Sequence, residues 1–228
     1  MAAVTAAVPS AVRVADAPLR AALAVALVTV LAVLGPVLGL SPWWITLVSA
    51  LLLGALTLDA ARFGGRGGHL LAETLPGGLA RLRRIAVHES GHLLIAEADA
   101  MPVSQVLVGS LACLRSGLNS AGSTALEPPA SAKLSLAELR RWSRVLQAGQ
   151  VAEQLVYGDA IGGADDRAQL GRLWGLSGHD VTTAQREQRQ ARREVEQALR
   201  AQNDRLHQQA EQLLARAPRL WRSPPGEG

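Results

Sequence analysis

Between positions 21 and 58 the chain carries no charged residue. As one helix, those 38 residues would run about 57 Å at 1.5 Å each, nearly twice a ~30 Å hydrocarbon core. Gly35-Pro36, Gly39 and Ser41-Pro42 interrupt the run with residues that end helices and make turns. The pattern predicts a transmembrane helical hairpin within 19–60, with one span over 19–38 and the other over 43–60. Trp43 and Trp44 fall at the turn, where an interfacial aromatic belt would lie. A buried hairpin of a soluble protein would show a polar stripe at helical spacing, and none is present. A signal peptide fits poorly, because the apolar region is too long and the first basic residue is Arg13.

Arginine placement sets an orientation. Arg13 and Arg20 precede the hairpin, and Arg62, Arg66, Arg81, Arg83 and Arg84 follow it, while the turn is uncharged. The positive-inside rule puts both termini, and everything after residue 60, on the cytoplasmic or stromal side of a bacterial plasma membrane or thylakoid. The basic residues do not read as a nucleic-acid surface. Phe and Tyr occur once each and the arginines are scattered rather than interleaved with aromatics. Lys133 is the only lysine and follows Ala132, so no GxxxxGK[ST] loop exists and no ATP site of that kind is expected. The single cysteine, Cys113, cannot form an internal disulfide and is expected to be a small buried residue.

Five segments follow: a flexible tail over 1–18, the hairpin over 19–60, a glycine-rich linker over 61–80, a folded domain over 81–217 and a tail over 218–228. His69 lies in the linker and reads as a solvated loop histidine. A helix is expected from about 79 until Met101-Pro102 stops it, then a strand over 103–111. Residues 115–133 read as a loop with room for an edge strand. Ser135 and Glu138 form a capping box that opens a helix to about Tyr157. A glycine turn, a short helix from Asp165 to Trp174 and one long charged helix over 182–216 complete the chain. His179 and His207 read as solvated residues on helices or at their ends.

The helix from 79 contains HESGH, residues 88–92. At 3.6 residues per turn His88 and His92 project from one face, where one metal ion can take both imidazoles. Glu89 is rotated about 100° from His88, within reach of water at such a metal without ligating it. Ile85, Val87, Leu93, Leu94 and Ile95 surround the motif in what reads as an amphipathic helix. Gly91 costs a helix about 1 kcal/mol relative to Ala. Close packing of the motif on another backbone would account for it. A third ligand must come from elsewhere. The metzincin pattern needs Gly at 95 and His at 98, and Ile95 and Ala98 stand there. Arg81, Arg83 and Arg84 just before the motif argue against an intramembrane protease. Glu153, His179 and the Asp165-Asp166 pair remain as candidates, and the residues alone do not choose among them.

Three ordered blocks resemble the FtsH-type zinc metallopeptidases. RRIAVHESGHLLIAEADAMPVSQVLVG is similar to that family's AxHEAGHA segment and the PVxKVTI that follows it. QAGQVAEQLVYGDAIGGADDRAQL (147–170) is similar to its GGRAAEExxFG and TGASNDLxxAT, with Gly149, Ala152, Glu153, Leu155, Gly158, Gly162 and Asp166 in register. ALRAQNDRLHQQAEQLLA (198–215) resembles its C-terminal helix. The matches span about 82–215.

The resemblance implies a mainly α peptidase domain with a small β-sheet, zinc held by His88, His92 and Asp166, and Glu89 as the general base of peptide-bond hydrolysis. It implies a strand around 103–109 beside the site, able to pair with an extended polypeptide substrate. It also implies a homo-oligomer, with hexameric rings as the family's habit, or association with an ATP-driven relative. The expectation is a membrane-anchored, ATP-independent zinc endopeptidase that cuts flexible or damaged proteins. The alternative is a weakly proteolytic accessory subunit of an ATP-dependent complex. Several departures stand out. No ATPase separates the hairpin from the peptidase block, Gln147-Ala148-Gly149-Gln150 replaces GGR, GGADD replaces GASND, and Ser90 replaces Ala.

Overall fold

The computed structural model describes residues 16–39, 41–62, 66–74, 77–129 and 131–219. The expected tail over 1–18 lies outside these for all but three residues, as does the C-terminal tail from 220 onward. The chain divides into two compact units, Met1–Gly65 and Arg66–Gly228.

The first unit holds α1 (Asp16–Leu34) and α2 (Pro42–Arg62), with turns over the described residues 35–39 after the first helix. The turn falls where the Gly-Pro and Ser-Pro pairs stand. Gly39 N–H bonds to Pro36 O, and Trp44 N–H to Ser41 O. Gly35 lets the helices meet at the turn, because a Cβ there would fall 2.3 Å from Ile45 Cδ1. Within α2 the stretch Pro42–Asp59 is apolar and unburied, and its 18 residues suffice by length to cross a membrane. The apolar part of α1 described in side-chain detail is the shorter Val25–Leu34. Thr29, Thr46 and Thr57 return their hydroxyls to carbonyls one turn earlier, which satisfies these three donors within the apolar helices.

The second unit is mainly helical with a two-stranded sheet. Its order is α3 (Arg66–Thr74), α4 (Gly78–Ala98), β1 (Val103–Val108), α5 (Ser110–Arg115), β2 (Gly122–Leu126), α6 (Leu136–Tyr157), α7 (Ala164–Ser177), α8 (Val181–Ala201) and α9 (Asn203–Arg216). α4 is central rather than amphipathic. It packs on α6, α9 and both strands, and its buried residues lie on every side of the helix. The strands are antiparallel, pairing Val108 with Gly122 and Val106 with Thr124. The main core joins Leu94 and Ile95 of α4, Val145 and Val151 of α6, Leu199 of α8 and Leu206 of α9. A second cluster packs Leu139 and Trp142 of α6 against Leu170 and Trp174 of α7, with the Trp174 indole N–H donating to the Ser143 hydroxyl.

The capping box opens α6 as its residues require: Ser135 Oγ accepts from Glu138 N–H, and the Glu138 carboxylate accepts from Ser135 N–H. Four expectations need correction. The linker over 61–80 is not continuous coil, since α3 forms inside it and packs on α4 and α5. Its Glu73 carboxylate accepts from both the backbone N–H (2.7 Å) and the hydroxyl (2.6 Å) of Ser110. His69 is not a solvated loop residue: it belongs to α3, and the Arg81 guanidinium donates to its Nδ1 at 2.9 Å. The strand ends at Val108, and Ser110 already opens α5. The helix over 182–216 breaks at Gln202, because α8 packs on α6 while α9 packs on α4.

Candidate metal centre

The site forms where α4 crosses α6. Gly91 sets the separation, since a Cβ on it would lie 2.6 Å from Ala148 O and 2.7 Å from Ala152 Cβ. A side chain on Gly149 would strike the His88 ring, 2.4 Å from its Nε2. Gly91 thus lets α6 approach, and Gly149 leaves the space that the first imidazole fills. The turn after α6 then carries the chain back over the motif, and α7 begins with Asp166 in its first turn.

Three donor atoms converge. His88 Nε2 and His92 Nε2 stand 3.1 Å apart, and Asp166 Oδ2 lies 3.2 Å from the first and 3.4 Å from the second. The far side of each ring is occupied. His88 Nδ1 donates to Glu153 Oε1 at 2.7 Å, and His92 Nδ1 donates to Val145 O at 2.7 Å. With the protons on Nδ1, each neutral ring turns an Nε2 lone pair inward, beside a carboxylate oxygen. Three acceptors facing one point repel unless a cation sits among them. Ligands at 2.0–2.1 Å around a tetrahedral zinc are separated by about 3.3–3.4 Å, close to the edges seen here. His88, His92 and Asp166 are thus a group able to hold a metal ion.

The electrostatics agree. Burial works against charge on His88, yet the Asp166 and Glu153 carboxylates outweigh it and raise the imidazole to about 10. His92 is also raised against its burial, through Asp166. Asp166 is held well below the usual carboxylate range, since the two imidazoles outweigh its burial. In the absence of metal the cluster takes up protons instead, as a cation site must.

Glu89, one residue past the first imidazole, is buried against β2. Thr124 Oγ1 donates to its Oε2 at 2.7 Å, and Gly122 leaves room for its Oε1. Burial raises its pKa against the pull of His92 and His88. The strand in contact with this carboxylate is therefore β2. The strand expected there, around 103–109, is β1, which pairs with β2.

Of the other candidate ligands, Glu153 stands behind His88 and binds its Nδ1. Its second oxygen accepts from Arg84 Nε at 2.6 Å, and the Ile161 and Gly162 N–H groups complete its partners. An outer carboxylate of this kind fixes a ligating histidine's tautomer and orientation. Asp165 is exposed. His179 packs edge-on against Trp174 and His207 is exposed on α9, both apart from the cluster. Sequence reasoning missed Thr124 as a partner of Glu89 and Arg84 as a partner of Glu153.

The fold and the site together define a helical domain built around a largely buried His-His-Asp cluster with a second acid, Glu89, at its edge. Neither the models of known protein families nor the curated proteins compared with the chain match it.

Proposed function

We propose that the chain is a membrane-anchored, ATP-independent zinc metalloendopeptidase of the FtsH type. The observation that carries this reading is the triangle of three donor atoms, 3.1, 3.2 and 3.4 Å on its edges, with both outer imidazole nitrogens already engaged. The donor set, two neutral imidazoles and one carboxylate, is one that catalytic zinc accepts while keeping a position for water. Bound there, zinc would supply a Lewis acid that lowers the pKa of water and polarises a scissile carbonyl.

The chain's own residues supply the rest. Glu89 acts as general base, taking a proton from the attacking water and returning it to the leaving amine. Its burial and the Thr124 hydrogen bond hold the carboxylate at the edge of the cluster with its basicity raised. β2 pairs with β1 alone among the described residues. Its other edge suits an extended polypeptide added as a further strand. No phosphate-binding loop is present, so the substrates are segments already flexible or damaged. α1 and α2 together form the anchor in this reading, and the arginines on either side favour the cytoplasmic or stromal face for the peptidase domain.

The test is cleavage of unfolded casein by the full-length protein. Glu89→Gln is expected to bind zinc as the wild type does and to lose cleavage. Equal cleavage by wild type and variant would sink the proposal.

A further inference from the structure

The stretch Gln147-Ala148-Gly149-Gln150 is one of the places where the chain departs from the pattern it resembles, and its two glutamines do different things. The Gln147 amide donates to Ser143 O and Gln188 O, tying α6 to α8. Gln150, only 8% exposed, turns instead toward the loop that leads into α7. Its Nε2 donates to Gly162 O at 3.0 Å. Gly163, the next residue, sits at φ +81°, in the left-handed region, and a Cβ on it would lie 2.3 Å from Gln150 Cγ. The glutamine side chain therefore fills the hollow of this turn. The preceding peptide is held as well, its Gly162 N–H donating to Glu153.

This turn decides where Asp166 goes. Gly163 is the N-cap of α7, and Asp166 follows three residues later. Among the described residues the Asp166 side chain bonds only to the two imidazoles, so no other side-chain partner aims it. The apolar anchors of α7, Leu170, Leu173 and Trp174, begin one turn beyond it. The start of the helix is fixed by the clamped peptide at Gly162.

We propose that Gln150 is a positioning residue of the metal centre: by bonding the Gly162 carbonyl and filling the turn at Gly163, it sets where α7 begins and brings the Asp166 carboxylate to the imidazole pair. This rests on the metal-centre reading and adds to it a residue outside the ligand set. Outer partners of this kind are worth about tenfold to a hundredfold in metal affinity.

The test is zinc affinity of the full-length protein by chelator competition, as a double-mutant cycle between Gln150→Met and Asp166→Ala. Methionine keeps the length and removes the donor. Gln150→Met is expected to weaken zinc binding about tenfold to a hundredfold when Asp166 is present, and to cost nothing further in the Asp166→Ala background. Gln150→Glu, nearly isosteric and unable to donate, is expected to give the same pattern, and it decides the matter if the methionine variant does not fold. Wild-type affinity in the Gln150 variants, or equal losses in both backgrounds, overturns the role of Gln150 and leaves the metal centre standing. A wild-type protein that binds no zinc overturns both.

Discussion

Glu153 is the residue on which most of the site leans, and Glu153→Gln perturbs it with almost no change of shape. Four donors reach its carboxylate, two on each oxygen: His88 Nδ1 at 2.7 Å and Gly162 N at 3.1 Å on Oε1, Arg84 Nε at 2.6 Å and Ile161 N at 3.0 Å on Oε2. An amide nitrogen in place of either oxygen leaves two donors facing a third. Hydrogen bonds to charged groups contribute about 1.5–3 kcal/mol each, so losing two costs about 3–6 kcal/mol. The acidity of the group gives an independent figure. Burial pushes the Glu153 carboxyl up, but hydrogen bonds from His88, Ile161 and Arg84 prevail and hold it at about 2 rather than 4.5. At about 1.4 kcal/mol per tenfold, the folded state favours the charged form by about 3 kcal/mol. Because the folded pKa lies below the unfolded one, this stabilisation is present above pH ~4.5 and is lost as the pH falls from there through about 2. Chemical unfolding of metal-free protein in detergent, followed by the fluorescence of buried Trp142 and Trp174, measures it. The variant is expected to be about 3 kcal/mol less stable at neutral pH and to lack that share of the acid limb. A loss under about 0.5 kcal/mol, the scale of an ordinary surface substitution, would refute the reasoning.

Gly91→Ala gains about 1 kcal/mol of helix propensity but drives a methyl into Ala148 O. Overpacking of about 1–3 kcal/mol outweighs that gain, and calorimetry is expected to show a lower melting temperature. In metal-free protein His88, raised to about 10 by Asp166 and Glu153 against its burial, contributes stability that is full below pH ~6.5 and lost as the pH rises through about 10. The alkaline limb of the unfolding curve is expected to flatten in His88→Gln, and an unchanged limb would show that the imidazole is not so held.

The parts of the site that were legible are those set by local geometry. His88 and His92 are one helical turn apart, so their common face followed from spacing alone, and Gly91 inside a helix pointed to a close neighbouring backbone, which α6 supplies. The capping box at Ser135 was equally local. Asp166 lies 74 residues beyond His92, and without the family resemblance nothing in its neighbourhood separated it from Asp165, Glu153 or His179. Thr124 sits in a Ser-, Gly- and Pro-rich stretch whose composition reads as loop, and only pairing with β1 makes it a strand residue beside Glu89. The break at Gln202 carries no Gly or Pro. It arises because α8 and α9 follow different neighbours, which periodicity within 182–216 does not record. α3 was hidden for the opposite reason: its flanking glycines read as linker, while the contact that orders it, Glu73 to Ser110, joins positions 37 residues apart.

Metal content of the purified full-length protein tests the central claim most directly. Elemental analysis is expected to find one zinc per chain in the wild type, none retained in His88→Ala, and a clearly reduced content in Asp166→Ala, whose two imidazoles still bind weakly. A wild-type chain without zinc, or the same zinc content in all three proteins, would contradict the account.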